Sequence, residues 1–462
     1  MKTKLTIFFF LTIIQISFSQ KIIFRDTTGI SEKRKTIVEF EEDKTLKIKI
    51  ALNFGRLLKR ELVRDDEYKQ FSSSEYLNYV LYFNDLQKVD SVEFQLNAMR
   101  INQSGNSSSI SNKKADFSDI QKVILEKAIK NCLKEYKNKT ELLRPIVVSG
   151  SILLNSNNKP GAKTVEEYLA DLNPDVKEIN LSGYGLKKLP EEVYKFKKLE
   201  NLSLNKNQIS EIKINTRKFP HLKILDLSDN YLTDKSLKIR RNNTLKVLNL
   251  TENGIENLNK KWMKSKNLTD LVLANNSVSG FSTKNIKFLK NIQVLNLYNN
   301  YVNSLPENFG ELKKLQILDL YYNNLRDLPV SFSKLESLQT LAVSNNKLWD
   351  FPEGFSHLIN LKTLYAHHNK LSNLPEIPPN LELLDLGFNM IKTLPSGLNS
   401  CDFITDLDVS NNQLSGDFGV LKELKSLKLL YILTNNWEAN EQELSELKQI
   451  VVDLRKKSVQ VK

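Results

Sequence analysis

His367 and His368 stand side by side, and Asp385 follows within the next stretch of sequence. Two imidazoles and a carboxylate are the donor types of a tetrahedral metal site. Neighbouring residues on a strand point to opposite faces, so the two rings would have to meet at a strand's exit. A metal is the weaker reading, and none is expected. Around these residues lie Tyr298, Tyr321, Tyr322, Tyr365 and Phe388, with Asp319 and Asp385 among them. Aromatic side chains with polar tips anchor protein interfaces and also stack on sugar rings. Carboxylates beside them would select basic groups. The two cysteines, Cys132 and Cys401, both fall at apolar positions of their segments and read as buried small hydrophobes rather than nucleophiles or a disulfide. The sequence contains no glycine-rich phosphate loop, no H-E-x-x-H and no G-x-S-x-G. No catalytic residue, cofactor or metal is therefore expected, and the chain reads as non-enzymatic.

The elements that must position these residues follow from a period. From Val176 onward the sequence is self-similar, its first position recurring at Val176, Leu199, Leu222, Leu245, Leu268, Ile292, Leu315, Leu338, Leu361, Leu381, Ile404 and Leu427. The spacing is mostly 23 residues, with 24 before Ile292 and 20 before Leu381. The seventh block is representative: Leu315, Leu318, Leu320, Asn323 and Leu325 fit L-x-x-L-x-L-x-x-N-x-L. A short strand alternates its side chains, so positions 4 and 6 point the same way, inward. One block cannot bury this apolar row alone, whereas stacked blocks can. An asparagine recurs at position 9 from Asn207 to Asn435, with Tyr184 in its place in the first block. Its amide is suited to buried backbone groups where the chain leaves the strand.

These blocks resemble the leucine-rich repeat family. The resemblance implies an α/β fold, a leucine-rich repeat solenoid in the form of a horseshoe, with a parallel sheet on its concave face. Side chains at positions 3, 5, 7 and 8 would line that face, where partners of the family commonly bind. The short ninth block, Leu361–Asn380, looks like the 20-residue class of bacterial leucine-rich effectors. The cysteine-dependent ubiquitin ligase domain of one such group is not carried over, because Trp437–Lys462 has no cysteine.

Reading those four positions sorts both aromatics and charge. Repeats six to ten contribute Tyr298, Tyr321, Tyr322, Tyr365, His367, His368 and Phe388, and repeat twelve adds Tyr431, while the first five contribute no aromatic. The acids there are Glu178, Asp226, Asp229, Glu252, Asp270, Asp319, Asp385, Asp406 and Asp408, against Lys206 alone. The whole chain of 462 residues carries +13, so an acidic aromatic face is set in a basic body. An acidic face disfavours phosphate-backbone recognition, and no nucleic acid is expected there. Two structural alternatives stay open: tyrosines that merely stack along the sheet, and acids that merely cap turns.

Residues 1–19 have the basic start, the apolar run Leu5–Phe18 and the small residues Ser17 and Ser19 of a cleavable secretory signal, without a lipobox cysteine. Secretion or a periplasmic location is expected, with no transmembrane segment after cleavage. Residues 20–150 read as a small α+β domain. Strands are expected over Thr36–Glu41, Leu46–Leu52, Tyr79–Phe83 and Val92–Leu96, helices over Arg56–Phe71 and Phe117–Tyr136, and a flexible loop over Asn102–Lys114. Residues 151–175 read as a linker and a cap helix beginning near Thr164, 176–437 as the solenoid, and 438–462 as a C-terminal cap helix and tail. Three functions remain: a protein or peptide ligand on the concave face, glycan or cell-wall adhesion by the same aromatics, or an enzyme in residues 20–150 targeted by the repeats.

Overall fold

The computed structural model describes residues 163–462, except 241–242, 264, 373, 375, 396 and 436–440. Before them it describes six strands alone. These are β1 (Leu5–Phe8), β2 (Leu11–Ile14), β3 (Glu75–Phe83), β4 (Val89–Ser104), β5 (Ser107–Lys114) and β6 (Val147–Leu153). They form one antiparallel sheet in the order β1-β2-β4-β3-β6, with β5 paired to β4. β3 and β4 contain the two expected strands at Tyr79–Phe83 and Val92–Leu96. The other expected strands and both helices, with Cys132, lie outside the described residues. β1 and β2 fall within the stretch read as a signal.

Two segments differ from expectation. Asn102–Lys114 is not a loop: Asn102 pairs with Ser109 and Ser104 with Ser107, so both ends of the stretch belong to antiparallel strands. Pairing to β4 overrides the polar composition of Ser107–Lys114. β6 occupies part of the stretch read as a junction, where Val147, Val148, Ile152 and Leu153 supply apolar and β-branched side chains that suit a pleated sheet.

From Glu178 onward the period becomes architecture. Twelve three-residue strands, one per repeat, stack in parallel, each pairing the same repeat positions: Ile317 with Thr340, Leu318 with Leu341, Asp319 with Ala342. In repeat seven, Leu318 and Leu320 at positions 4 and 6 are fully buried, as are Leu315 and Leu325. A column of rings backs this core six residues before position 1. Phe309, Phe332 and Phe355 are essentially without exposure, and Phe309 stacks on Phe332 at 6.1 Å and 5°. Repeats two and three add a separate parallel pair, Ile212–Ile214 with Leu237–Ile239.

The asparagine ladder closes each turn. Asn323 Oδ1 accepts from Val302 N of the preceding repeat at 2.9 Å. Its Nδ2 donates to Leu297 O, Leu320 O and Tyr321 O at 2.9, 3.0 and 3.3 Å. Asn253, Asn276, Asn300, Asn346 and Asn369 repeat the arrangement. Position 8, just before the asparagine, is left-handed in every repeat, from Gly183 (φ 74°) to Thr434 (φ 62°).

A short helix, Val165–Ala170, carries a capping box: Thr164 Oγ1 accepts from Glu167 N, and the Glu167 carboxylate accepts from Thr164 N. At the other end the Glu441–Lys456 helix buries Leu447, Ile450 and Leu454. After it, Gln460–Val461 returns as a thirteenth parallel strand on repeat twelve. Among the described residues no helix is long and apolar enough to cross a membrane.

Candidate functional site

The outward side chains of the long sheet come from a simple alternation. In repeat seven the strand is Ile317–Asp319; Leu318 turns inward, and Ile317 and Asp319 turn out. Position 5 then has a recurring local duty. Asp226, Asp319, Asp385 and Asp408, and Asn180, Asn249 and Asn296, each accept from the backbone N–H two residues on, at 2.8–3.2 Å. The acids therefore do cap turns, each with one carboxylate oxygen. Asp408 also accepts from Ser410 Oγ, and Asp319 from Asn296 Nδ2.

On this frame the expected aromatics meet as one connected strip. Tyr298 and Tyr321 stack at 5.7 Å and 8°, and Tyr322 sets its ring nearly perpendicular to both, 4.4 Å from Tyr321. Tyr321 reaches His367 at 5.4 Å; His367 lies 5.0 Å from His368, and His368 stacks on Phe388 at 4.2 Å. The step from Tyr321 to His367 passes over repeat eight, whose outward residues Thr340, Ala342, Ser344 and Asn345 are small. Ser344 is fully buried there and its hydroxyl has no partner. Tyr365, on the strand of repeat nine, is half-buried and joins no ring pair in the strip. Its two neighbours in register are Ala342 and Asp385.

Tyr322, His368 and Phe388 occupy the left-handed position 8, with φ between 53° and 54°. Asparagine, found there in Asn275, Asn299, Asn345 and Asn411, adopts that conformation at lower cost than an aromatic residue. The rings are thus held outward against a local backbone preference. Sequence reasoning did not find this, because the repeat consensus leaves position 8 unspecified.

Burial decides the electrostatics. It lowers the His367 pKa to about 4, with His368 adding to the effect. It pushes Asp385 up to about 7, helped by Asp408 and opposed by the Gly387 N–H. Asp319, Asp408, Tyr298 and Tyr321 are raised, in each case mainly by burial. His367 Nε2 lies 3.8 Å from Asp385 Oδ2, beyond hydrogen-bond reach, and the shared desolvation favours both neutral forms, so the two are not an ion pair near pH 7. His367 Nδ1 and His368 Nδ1 are 2.8 Å apart, which requires one ring to donate and the other to accept. No group of three or more metal-ligating side chains gathers among the described residues. Cys401 is buried, its thiol directed at the carbonyls of Pro378 and Gly397, and burial raises its pKa to about 11. A thiol in that state is a packing group.

Comparison with known proteins agrees with this reading of the repeats. A family model described as a leucine-rich repeat region matches residues 271–377, and a second leucine-rich repeat model matches 220–238 and 241–258. No curated protein sequence matches the chain. Among solved structures, a chain of the octameric complex of latrophilin 3, Unc5D and FLRT2 is 24% identical with a TM-score of 0.50, over 62% of this chain and 90% of that one. An internalin from Listeria monocytogenes is 19% identical with a TM-score of 0.48, over 64% and 92%. A leucine-rich repeat protein of Leptospira interrogans is 20% identical with a TM-score of 0.39, over 66% and 100%. With its strands, asparagine ladder and period in the same register, the chain belongs to the leucine-rich repeat proteins.

Proposed function

We propose that this protein is a secreted or periplasmic, non-enzymatic binding protein that holds a protein or peptide on the face formed by Tyr298, Asp319, Tyr321, Tyr322, Tyr365, His367, His368, Asp385 and Phe388. A leucine-rich repeat solenoid is a scaffold for protein interaction. One observation carries the reading further: the connected ring strip, three of whose members stand on left-handed backbone. The left-handed turn recurs in every repeat, so what sets these three positions apart is an aromatic side chain where asparagine would cost less.

The ring geometry favours a protein over a glycan. A sugar needs an open aromatic face to lie on. Tyr298 and Tyr321 turn their faces toward each other, as do His368 and Phe388, so each of these rings has at most one face left for a sugar. Location outside the cytoplasm rests on the apolar run after Lys2 and Lys4.

The experiment is crosslinking capture from envelope and culture-supernatant fractions, comparing the parent with Tyr321→Ser combined with Tyr322→Ser and Tyr365→Ser. The expected result is a partner held by the parent and lost by the folded variant. Equal capture by both would place the partner elsewhere.

A further inference from the structure

The strip ends against a polar notch. Repeat ten has Gly387 at position 7, where its neighbours carry His367 and Ser410. A Cβ built on Gly387 would sit only 3.1–3.3 Å from the Asp408 carboxylate, so the missing side chain is what gives Asp408 its room. Asp385 and Asp408 face one another across adjacent strands in register. Each gives Oδ1 to its own turn, and neither Oδ2 accepts a hydrogen bond among the described residues. No described lysine or arginine forms an ion pair with either acid, whereas Lys177, Lys223, Lys313 and Lys362 pair with glutamates. Asp385 keeps about a fifth of its side chain exposed, so solvent and ligands reach it. The imidazoles of His367, 3.8 Å from Asp385, and His368, whose charge acts on Asp408, are the basic groups nearest this pair, and an incoming arginine or lysine would hold both half-buried acids in their ionised form.

We infer that the ligand is an extended basic peptide, which lays an apolar side chain against Tyr321 and Tyr322 and seats an arginine or lysine on Asp385 and Asp408 over Gly387. This rests on the proposed binding face and adds the chemistry and spacing of its occupant. Tyr321 and Asp385 are three strands apart, about 14 Å at ~4.8 Å per strand. An extended chain advances ~3.4 Å per residue, so the apolar and basic residues stand about four apart. One repeat further on, the register neighbour of Asp408 is Tyr431, and Lys462 Nζ lies 5.2 Å from the centre of its ring. Arginine suits the site better than lysine, because its planar fork can span two carboxylates.

The test is selection of a displayed random dodecapeptide library on three folded full-length chains: the parent, Asp385→Asn with Asp408→Asn, and Tyr321→Ser with Tyr322→Ser. Asparagine keeps the turn-capping oxygen, so the fold is preserved, and an unchanged circular dichroism spectrum with a single cooperative melting transition verifies that. The expected result is parent-selected peptides with an arginine or lysine three to five residues from an apolar residue. Their affinity should fall at least tenfold on the asparagine variant. Peptides lost on the serine variant but showing no basic preference would overturn the inference and leave the binding face standing. Peptides indifferent to both variants, or no selected peptide beside a positive glycan array, would overturn both.

Discussion

Replacing Asn323 by alanine tests how much one rung of the asparagine ladder holds. The side chain is 5% exposed and makes four hydrogen bonds. They are not equal in consequence. Leu297 O still accepts from Asn300 and Leu320 O from Asn346, while Tyr321 O still accepts from Asn299 N. Val302 N has no other acceptor among these contacts and is buried with its residue. The loss is therefore one orphaned buried N–H, at about 1–3 kcal/mol, plus three weakened carbonyls at a few tenths each. About 3 kcal/mol is expected. Asn389, at the boundary with the short ninth repeat, is only half-buried, and its bonds to Leu371 N and Ala366 O are longer, both 3.1 Å. Asn389→Ala should cost about half as much. Equilibrium urea unfolding of parent and both variants measures this as a shift of midpoint at constant slope. Equal costs at the two sites, or less than about 1 kcal/mol at Asn323, would refute the argument that the orphaned Val302 N–H dominates.

Gly310→Ala should destabilise by about 3 kcal/mol or more, read as a lowered melting temperature, because the new Cβ would stand 1.9 Å from the Ser331 carbonyl oxygen and backbone must move. The acid response of the strip should separate into two opposed parts. His367, with a folded pKa near 4 against 6.5 unfolded, contributes stability above pH 6.5 that is lost as pH falls toward 4. Asp385, with a folded pKa near 7 against 3.8, contributes stability at low pH that is lost as pH rises through 7. Comparing urea midpoints at pH 7.5 and 5, His367→Gln should make acid relatively favourable by up to about 2 kcal/mol and Asp385→Asn relatively unfavourable by up to about 2.5 kcal/mol. Shifts of the same sign would contradict the assignment of both groups as neutral.

The sequence carried the solenoid because its determinant is periodic. A leucine at positions 1, 4, 6 and 11 means the same thing twelve times, and Leu318 and Leu320 are buried as their spacing requires. What escaped was aperiodic or depended on distant pairing. Ser107–Lys114 is polar and becomes a strand only through β4. Ile212–Ile214 and Leu237–Ile239 are too short to stand out within the variable half of their repeats. The Phe309, Phe332 and Phe355 column does not stand out as periodic, because phenylalanine occupies that position before only three of the twelve repeats. For the candidate face, the residue types at positions 5, 7 and 8 were readable one by one. Their connection was not, since Tyr321 meets His367 only because repeat eight carries Ala342 and Ser344 beneath the gap.

The strand at Gln460–Val461 has a bearing on how the molecule behaves in quantity. Leu429 and Leu430 would otherwise present a bare row of amide groups, the kind of template on which identical chains assemble into fibres. Lys462 completes the cover, donating to Leu430 O and accepting from Ile432 N and Leu433 N. The solenoid thus carries its own stopper. Disrupting the pairing of Gln460 and Val461 would bare that row again, and concentrated samples would then lose their monodispersity.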